Sequence, residues 1–355
     1  MLVHFANGLE YLLLFIAIVL SSILCLGVRK LAPVLHLIEI PREDRLSQRS
    51  VPVGGGLGWM VAFLILVAAG SWWVNNFTLP EGLEQHRLGM MAKIMDMSWI
   101  CAGAAVLMLL GLFDDIRPVP ITIKLVLEFV VAITLAFQVP DVLITAFVDN
   151  LALNRVFTVF WIVFLVNSFN LLDHADGSSS VTAIAVFVGL VLLSFISGQV
   201  FVGLISLLLV GVLLGFLVQN FPPAKIFMGD AGSLPLGYFV GVLTGLFTFY
   251  SDSREVTTVF VPLCLLLVPV YDSASVCVIR FRSGKPLWVG DKNHISHRLL
   301  DRGWSARRVV IALFVMTLVG ALLSVLVFVL SPPWVYLPLC LALLLIFYVQ
   351  RLERR

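Results

Sequence analysis

Long apolar runs separated by short polar segments make up most of the chain. A helix needs roughly 20 residues to cross the hydrocarbon core of a bilayer. Runs near this length lie at 9–28, 54–74, 98–113, 120–138, 155–171, 180–197, 200–219, 233–250, 256–279, 308–330 and 334–350. The pattern predicts an all-α polytopic integral membrane protein with about 11 transmembrane helices. No internal repeat or soluble domain stands out, so residues 1–355 are interpreted as a single transmembrane domain.

Composition agrees with a membrane protein. Hydrophobic residues make up 60% of the chain, charged residues 12%, and the mean hydropathy is +1.06. These values lie far outside those of soluble globular proteins, which makes the lipid bilayer the first expected partner. The net charge of +2 does not indicate nucleic-acid binding.

The positions of the basic residues predict how the chain is oriented. Of the 23 lysines and arginines, 18 lie in the C-terminal tail or in loops after odd-numbered predicted spans. The opposite loops hold Arg87, Lys93, Arg155 and Arg254, and Lys124 lies inside a span. Because basic residues concentrate in cytoplasmic loops, the loops after odd-numbered spans are expected to face the cytosol.

The polar motifs all follow odd-numbered spans. The five segments are "IPREDRLSQRSVPVGGGLGW" (40–59), "DDIRPVPITIK" (114–124), "NSFNLLDHADGSSS" (167–180), "QNFPPAKIFMGDAGS" (219–233) and "GDKNHISHRLLDRG" (290–303). Side chains that cooperate in catalysis must share one compartment, whereas incidental polar residues should be scattered over both. The shared side therefore predicts cytosolic active-site loops.

Five aspartates within these motifs suggest a divalent cation. They are Asp114, Asp115, Asp173, Asp176 and Asp230. Carboxylates among helix ends are costly unless a cation or hydrogen-bond donors meet them. Mg²⁺ takes one or two carboxylates and leaves its other positions to water and phosphates, so the expected chemistry is phosphoryl transfer. For any single aspartate, helix capping is an alternative interpretation.

Cationic and glycine-rich positions accompany the aspartates. Lys225 precedes Asp230 by five residues, Lys124 lies about one turn into a span, and His294, His297 and Arg298 share a basic loop. A diphosphate substrate would need such groups, although ordinary positive-inside charge also explains the arginines. The runs "GGG" (54–56) and "MGDAGS" (228–233) allow either close approach to a phosphate or close helix packing.

At these motifs the sequence resembles the polyprenyl-phosphate N-acetylhexosamine-1-phosphate transferases. The resemblance rests on "DDI" with a following lysine, "NSFNLLDHADG", "FMGDAGS" and "DKNHISHRL", in family order over most of the chain. It implies transfer of an amino-sugar phosphate from a UDP-sugar to a polyprenyl phosphate, with release of UMP and a requirement for Mg²⁺ or Mn²⁺. It also implies a multi-pass protein of the plasma membrane whose active site faces the cytosol. A homodimer is left open.

The resemblance also implies roles for individual residues. Asp230 matches the metal-binding aspartate, and Asp114 and Asp115 match the pair near the prenyl phosphate. The nucleotide and phosphate positions are matched by Asn170, Asp173, Asp176, Asn220, Lys124, His294 and His297, and Phe227 matches the ring on which uracil stacks. Lys225 and Arg298 would add positive charge nearby.

We favour direct in-line attack of the prenyl phosphate on the sugar-linked phosphorus, although a two-step route through an aspartyl phosphate also fits the residue types. Four positions depart from the family pattern. Ser47 and Ser296 replace histidines, His174 replaces the first glycine of D-G-x-D-G, and Glu128 replaces a glutamine. Serine cannot supply a proton near neutral pH as histidine can, so these departures affect the expected substrate.

Two alternatives remain at this stage. "HISHRLLDRGWS" (294–305) favours the GlcNAc-1-phosphate branch over the phospho-N-acetylmuramoyl-pentapeptide transferases, which typically carry a loop with three histidines. A secondary transporter is the alternative from another class. Transporters, however, carry their polar residues at mid-membrane and in repeated halves, and neither feature is evident in the sequence.

Overall fold

The computed structural model describes residues 8–39, 50–79, 84–145, 150–247, 249, 256–284, 286 and 293–354. Within these residues the protein is almost entirely helical. The α-helices are α1 (Leu9–Leu31), α2 (Gly55–Asn76), α3 (Arg87–Ala92), α4 (Ile94–Ile116), α5 (Ile121–Gln138), α6 (Leu151–Leu172), α7 (Ser178–Ser197), α8 (Val200–Asn220), α9 (Asp230–Leu246), α10 (Phe260–Leu265), α11 (Leu267–Arg282), α12 (Ile295–Leu300), α13 (Ala306–Val329) and α14 (Tyr336–Arg354). Short 3₁₀ helices lie at Glu84–His86, Pro140–Val142 and Val256–Val259, and the strands β1 (Ile38–Glu39) and β2 (Val51–Pro52) pair antiparallel.

The predicted all-α polytopic membrane fold is confirmed, but the number of eleven spans is not. Eight described helices are long and apolar enough to cross a membrane: α1, α2, α4, α5, α6, α7, α8 and α13. The bent pair of α10 and α11 would make a ninth. Helix α9 has 17 residues, and α14 has a shorter apolar stretch, Tyr336–Leu352. At about 1.5 Å per residue, α9 is shorter than the hydrocarbon core.

The predicted span 256–279 is wrong as one straight helix. Segments Thr257–Leu265 and Leu267–Arg282 meet at an angle of 76°. Pro269 lies in the first turn of α11, where its ring nitrogen has no hydrogen to donate to the carbonyl of Leu265. The helix therefore breaks at Leu266, which directs α11 along a new axis.

Helix α9 is the centre of the bundle. Every residue from Ala231 to Thr244 is buried, and the helix packs against α2, α4 and α6. Small residues let neighbouring backbones come close, as at Gly237, where an added Cβ would lie 2.3 Å from the carbonyl oxygen of Leu165, and this close packing suits its central place. Its first residue, Asp230, therefore starts where several other helices end.

Two predicted loops are only partly described. Residues 40–49, which include Ser47, and residues 290–292 of the "GDKNHISHRLLDRG" segment lie outside the described residues. The small sheet formed by β1 and β2 lies beside the segment before α9, since the amide of Phe227 donates to the carbonyl of Pro52 at 2.9 Å.

Candidate active site

One lysine and two aspartates form the most polar contact among the helix ends. Lys124 Nζ, in α5, lies 2.6 Å from Asp114 Oδ2 at the end of α4 and 2.7 Å from Asp230 Oδ2 at the start of α9. Asn170, near the end of α6, adds an amide N–H 3.4 Å from the same Asp230 oxygen. We call Asp114, Lys124, Asn170 and Asp230 the Lys124 cluster. Four helices contribute to it, although the residues are far apart in sequence.

Charges in this cluster are placed against the helix dipoles. A lysine in the first turn of α5 faces the positive end of that helix, and Asp114 lies at the negative end of α4. Both positions are tolerated because the two side chains pair with each other and because the amide of Val119 donates to Asp114 Oδ1 at 2.6 Å. The contacts within the Lys124 cluster thus offset the unfavourable position of each charge on its own helix.

Asp115 has a different environment from its neighbour Asp114. Its two carboxylate oxygens accept the backbone N–H groups of Asp230 and Ala231 at 2.9 and 3.1 Å. These amides begin α9 and have no partner inside their own helix. Asp115 therefore holds the start of α9 in place, and its role near the prenyl phosphate, which the resemblance implies, stays a prediction.

The glycine-rich runs pack against each other. The amides of Gly55 and Gly56 donate to the carbonyls of Phe227 and Met228, both at 2.9 Å. A Cβ added to Gly56 would lie 2.1 Å from the amide nitrogen of Gly232, and one added to Gly111 would lie 2.1 Å from the carbonyl oxygen of Asp230. Of the two interpretations of these runs, the structure supports close backbone packing, and the amides of Gly55 and Gly56 are already used.

The residues predicted for the nucleotide lie in the loops after α6 and α8. Ser179 Oγ donates to Asp173 Oδ1 at 2.6 Å, and the amide of Ala224 donates to Asp176 Oδ2 at 2.9 Å. Burial raises the pKa of Asp176, and the hydrogen bond from the Ala224 amide partly opposes this rise.

Asn220 connects the same two loops. Its Oδ1 accepts the amide of Gly177 at 3.0 Å, and its Nδ2 donates to the carbonyl of Ile226 at 3.0 Å. The buried side chain thus orders the loop before α7 and the segment before α9. In the structure it supports the loops that carry the candidate site.

Two further predicted residues lie at the edge of the site. Phe227 is buried against Val51 and Val53, so this ring packs on the small sheet in the structure. Lys225 is exposed, and its backbone amide donates to the carbonyl of Gln219 at 2.8 Å. Among the described residues the Lys225 ammonium forms no ion pair with Asp230.

A histidine cluster lies next to the Asp173 loop. The ring of His174 lies 4.2 Å from that of His294 and 4.6 Å from that of His297, between centroids. His174 Nε2 is 2.5 Å from Ser296 Oγ, and Nδ1 contacts the carbonyl of Leu171. Burial and the neighbouring His294 lower the pKa of His174 to about 3. We use "histidine cluster" for His174, His294, His297 and Ser296.

Asp272 is a residue that the sequence analysis missed. This carboxylate is fully buried in α11, accepts from His294 Nδ1 at 2.8 Å and also accepts the amide of Ile295 at 2.7 Å. Arg298 Nη2 donates to Ser275 Oγ at 2.8 Å and lies 3.8 Å from Asp272. The missed signal was an aspartate inside an apolar run, because ionisable residues at such places mark functional sites.

Direct contacts connect these groups into one continuous region. His174 follows Asp173 in the chain, and the hydroxyl of Ser179 bridges Asp173 Oδ1 and Met228 Sδ, at 2.6 and 3.8 Å. Met228 lies two residues before Asp230. Ser179 thus links the loop that carries Asp173 and His174 to the segment that precedes Asp230.

The carboxylates of the Lys124 cluster are the candidate ligands for a divalent metal ion. Among the described residues, no three His, Cys, Asp or Glu side chains form a metal-binding group. Asp114 and Asp230 still offer two hard carboxylates that a single ammonium already bridges. This set fits Mg²⁺, which uses one or two carboxylates when phosphates and water supply its other ligands.

Comparison with known proteins agrees with this arrangement. Residues 97–248 match the family described as "Glycosyl transferase family 4". The matched range runs from α4 to just beyond α9 and includes all four residues of the Lys124 cluster. A curated protein of Bacillus subtilis (strain 168), named "Probable undecaprenyl-phosphate N-acetylglucosaminyl 1-phosphate transferase", is 28% identical over 331 residues, covering 91% of this chain and 85% of that protein. The chain is thus similar to glycosyl transferase family 4 over the helices that carry the Lys124 cluster, and to the Bacillus protein over most of its length.

Proposed function

We propose that the protein transfers N-acetylhexosamine 1-phosphate, with GlcNAc 1-phosphate as the preferred group, from a UDP-sugar to a polyprenyl phosphate. UMP is the second product. The Bacillus relative carries the corresponding name and matches most of the chain. The reaction belongs at the cytosolic face of the cell membrane, where the basic loops are expected and where a soluble nucleotide sugar can meet a lipid acceptor.

The observation that carries this proposal is the Lys124 cluster. One ammonium joins carboxylates from α4 and α9 at a helix junction, and an asparagine from α6 completes the group. Such a group can bind phosphates through its cation and a divalent ion through its carboxylates. A buried lysine between two aspartates is otherwise costly, because each charge must leave water.

The chemical step is a displacement at the phosphorus atom that carries the sugar. An oxygen of the prenyl phosphate attacks the sugar-linked phosphorus, a new P–O bond forms, and the bond to the bridging oxygen breaks, so that this oxygen leaves with UMP. Asp230 would hold Mg²⁺, which when bound supplies charge neutralisation for the diphosphate. Lys124 orients the phosphate oxygens, and Asp114 fixes the Lys124 ammonium.

The histidine cluster supplies a second set of phosphate contacts. Asp272 receives the Nδ1 hydrogen of His294, which leaves His294 Nε2 as the nitrogen that can face a ligand. Asp173 and Asp176 shape the nucleotide pocket through Ser179 and the Ala224 amide. These side chains position the UDP-sugar, while the acceptor reaches the Lys124 cluster from the lipid.

The test is UMP release by the purified protein. Undecaprenyl phosphate, Mg²⁺ and a panel of UDP-sugars, including UDP-GlcNAc and the UDP-MurNAc-pentapeptide, are incubated with it, and UMP is measured with the lipid present or omitted. The proposal expects lipid-dependent release with UDP-GlcNAc as the best substrate. Release only with the pentapeptide substrate would move the protein to the other branch. Vesicle uptake without UMP would identify a transporter instead.

The same preparation separates the two chemical routes. A two-step route through an aspartyl phosphate would exchange labelled UMP into UDP-GlcNAc without lipid acceptor. Direct displacement allows no such exchange. We expect none, because Asp115 uses both of its oxygens on the start of α9 and Asp114 already binds Lys124 and the Val119 amide.

A further inference from the structure

Two departures from the family pattern touch each other in the structure. Position 174 carries a histidine where the pattern has glycine, and position 296 carries a serine where it has histidine. The loop that contains residue 174 and the helix α12 are far apart in sequence, yet His174 Nε2 and Ser296 Oγ are 2.5 Å apart. An imidazole contributed by another segment thus lies against the position where the family pattern has one on α12.

The hydrogen bonds assign the form of His174. Nδ1 faces the carbonyl of Leu171, which can only accept, so Nδ1 carries the hydrogen. Nε2 then holds the lone pair and accepts from the hydroxyl of Ser296. Both ring nitrogens are thereby used, which leaves the ring faces for contact with other groups.

One face of His174 is stacked on His297. Their ring planes differ by 12° with centroids 4.6 Å apart, while the His294 ring is tilted by 36° at 4.2 Å. His294 is fixed from its other side by Asp272. An uncharged ring between two histidines holds both at a set spacing without adding a positive charge that would repel them.

The backbone at position 174 does not demand glycine. Among the described residues, His36 is the one non-glycine residue with a positive φ, so His174 has a conformation that any residue can adopt. A side chain could therefore be gained here without backbone strain. The loss of histidine at 296 leaves the space that the ring of His174 fills.

We propose that His174 is a positioning residue that replaces the missing α12 histidine and holds His294 and His297 in place for the sugar-donor phosphates. This inference rests on the proposed function. It predicts that residues 174 and 296 act as an exchangeable pair. Simple packing by His174 would predict no such exchange.

The exchange is tested with His174→Ala, Ser296→His and the double variant. Each is assayed for UMP release over a range of UDP-GlcNAc concentrations. His174→Ala should lower kcat about 10- to 100-fold with a smaller change in KM, because the substrate still binds but the phosphate-facing histidines lose their spacing. Ser296→His alone should also lose activity, because a second imidazole would crowd the ring of His174.

The double variant is the deciding measurement. It should recover kcat to within about threefold of the unaltered protein, since the imidazole returns on α12 while position 174 is vacated. His36→Asn, at an exposed histidine that suits asparagine, is the matched control and should leave kcat unchanged. Activity of His174→Ala within about twofold of the unaltered protein, or a folded double variant no better than Ser296→His, overturns the inference.

Folding is measured separately by thermal unfolding of all four proteins without substrate. Should His174→Ala fail to fold, His174→Gln replaces it, because its amide oxygen can still accept from Ser296. His174→Gln is expected to fold and to show the same loss of kcat, and full activity would overturn the inference. If the unaltered protein releases no UMP with any donor, the proposed function fails. The unfolding temperatures of the two single variants, the double variant and the unaltered protein then still show whether residues 174 and 296 are coupled.

Discussion

Within the part of the chain that the structure describes, two groups have one lysine that bridges two aspartates. One connects α4 with α5 and α9, and the other connects the start of α4 with the 3₁₀ helix after α5. At one end, Lys124 joins Asp114 and Asp230, and these three side chains are 14%, 17% and 19% exposed. At the opposite ends of α4 and α5, Lys93 joins Asp96 and Asp141. The side chains of Lys93, Asp96 and Asp141 are 30%, 21% and 63% exposed. The two groups have the same composition but different surroundings.

Their difference shows what makes a charged triad a candidate site. Lys93 and Asp96 are three residues apart on the chain, and Asp141 reaches them from an exposed turn. Such a pair contributes little, because water already solvates the charges. The Lys124 cluster adds a third helix and the amide of Asn170, and it adjoins the histidine cluster. Convergence and burial distinguish the two, rather than residue type.

The largest expected effect comes from Asp230→Asn. This change keeps the shape of the side chain but removes the charge that would hold the divalent ion, so UMP release should fall about 1000-fold or more. The matched control is Asp141→Asn in the exposed triad, which should keep full activity. Thermal unfolding should show both variants folded. Near-normal activity of Asp230→Asn would remove Asp230 from the proposed metal site.

Lys124→Met should have the next largest effect. It leaves Asp114 and Asp230 side by side without their cation, and UMP release should drop about 100-fold. We also expect Mg²⁺ to raise the unfolding temperature of this variant more than that of the unaltered protein, because the ion then becomes the only cation between the carboxylates. Lys93→Met is the control, with activity unchanged and a stability loss below about 1 kcal/mol. Equal losses in the two lysine variants would break the comparison.

A smaller effect is expected where backbones touch. Gly56→Ala places a methyl group against the start of α9 and should lower the free energy of unfolding by about 1–3 kcal/mol. Gly70 lies in the same helix with no atom within 4 Å of an added Cβ. Gly70→Ala should therefore be neutral or stabilising by up to about 1 kcal/mol. Thermal unfolding of the two variants measures the difference, and an equal response would show that α2 and α9 do not pack as described.

At neutral pH no effect is expected from the titration of His174, but the histidine cluster should make stability depend on pH below 6.5. The folded pKa of His174 is about 3, below the ordinary 6.5, so the unfolded chain binds the proton more readily. Its contribution is complete above pH 6.5 and is lost as pH falls from 6.5 towards 3, by at most about 1.4 kcal/mol per pH unit. His294, His297 and Asp272 face the ring and are present in both proteins. The free energy of unfolding is measured against pH for the unaltered protein and for His174→Ala, and the difference between the two curves should give this slope. Equal slopes in the two proteins would contradict the prediction.

Much of the fold could be predicted from the apolar runs. Ten of the eleven predicted spans overlap one helix each, and 256–279 overlaps the bent pair of α10 and α11, because transmembrane helices need long apolar segments. The number of spans could not be predicted, since length alone does not show that α9 is enclosed by protein or that Pro269 breaks the helix after Leu265. Those properties depend on packing, which is not local in the sequence.

The site was only partly predictable for similar reasons. Shared polarity on one side suggested that the aspartates would gather, and in the structure Lys124 lies between Asp114 and Asp230. Sequence could not show that Asp115 is engaged by the start of α9, nor that Asp272 pairs with His294 from another helix. Both assignments depend on the contacts between distant helix ends. A lysine near the start of a helix and an aspartate near the end of another are both unfavourable alone, and this pattern could have indicated that Lys124 and Asp114 pair.

The contact of Gly56 and Gly111 with the start of α9 has a consequence for how such a protein can diversify. The backbone at the start of α9, which carries Asp230, lies against the backbones at Gly56 and Gly111, so a bulkier residue at either glycine would displace it. In the loops after α6 and α8, by contrast, Asp173 is half-buried and Lys225 is exposed. New sugar specificity can therefore arise in those loops while the chemistry-bearing carboxylate keeps its coordinates.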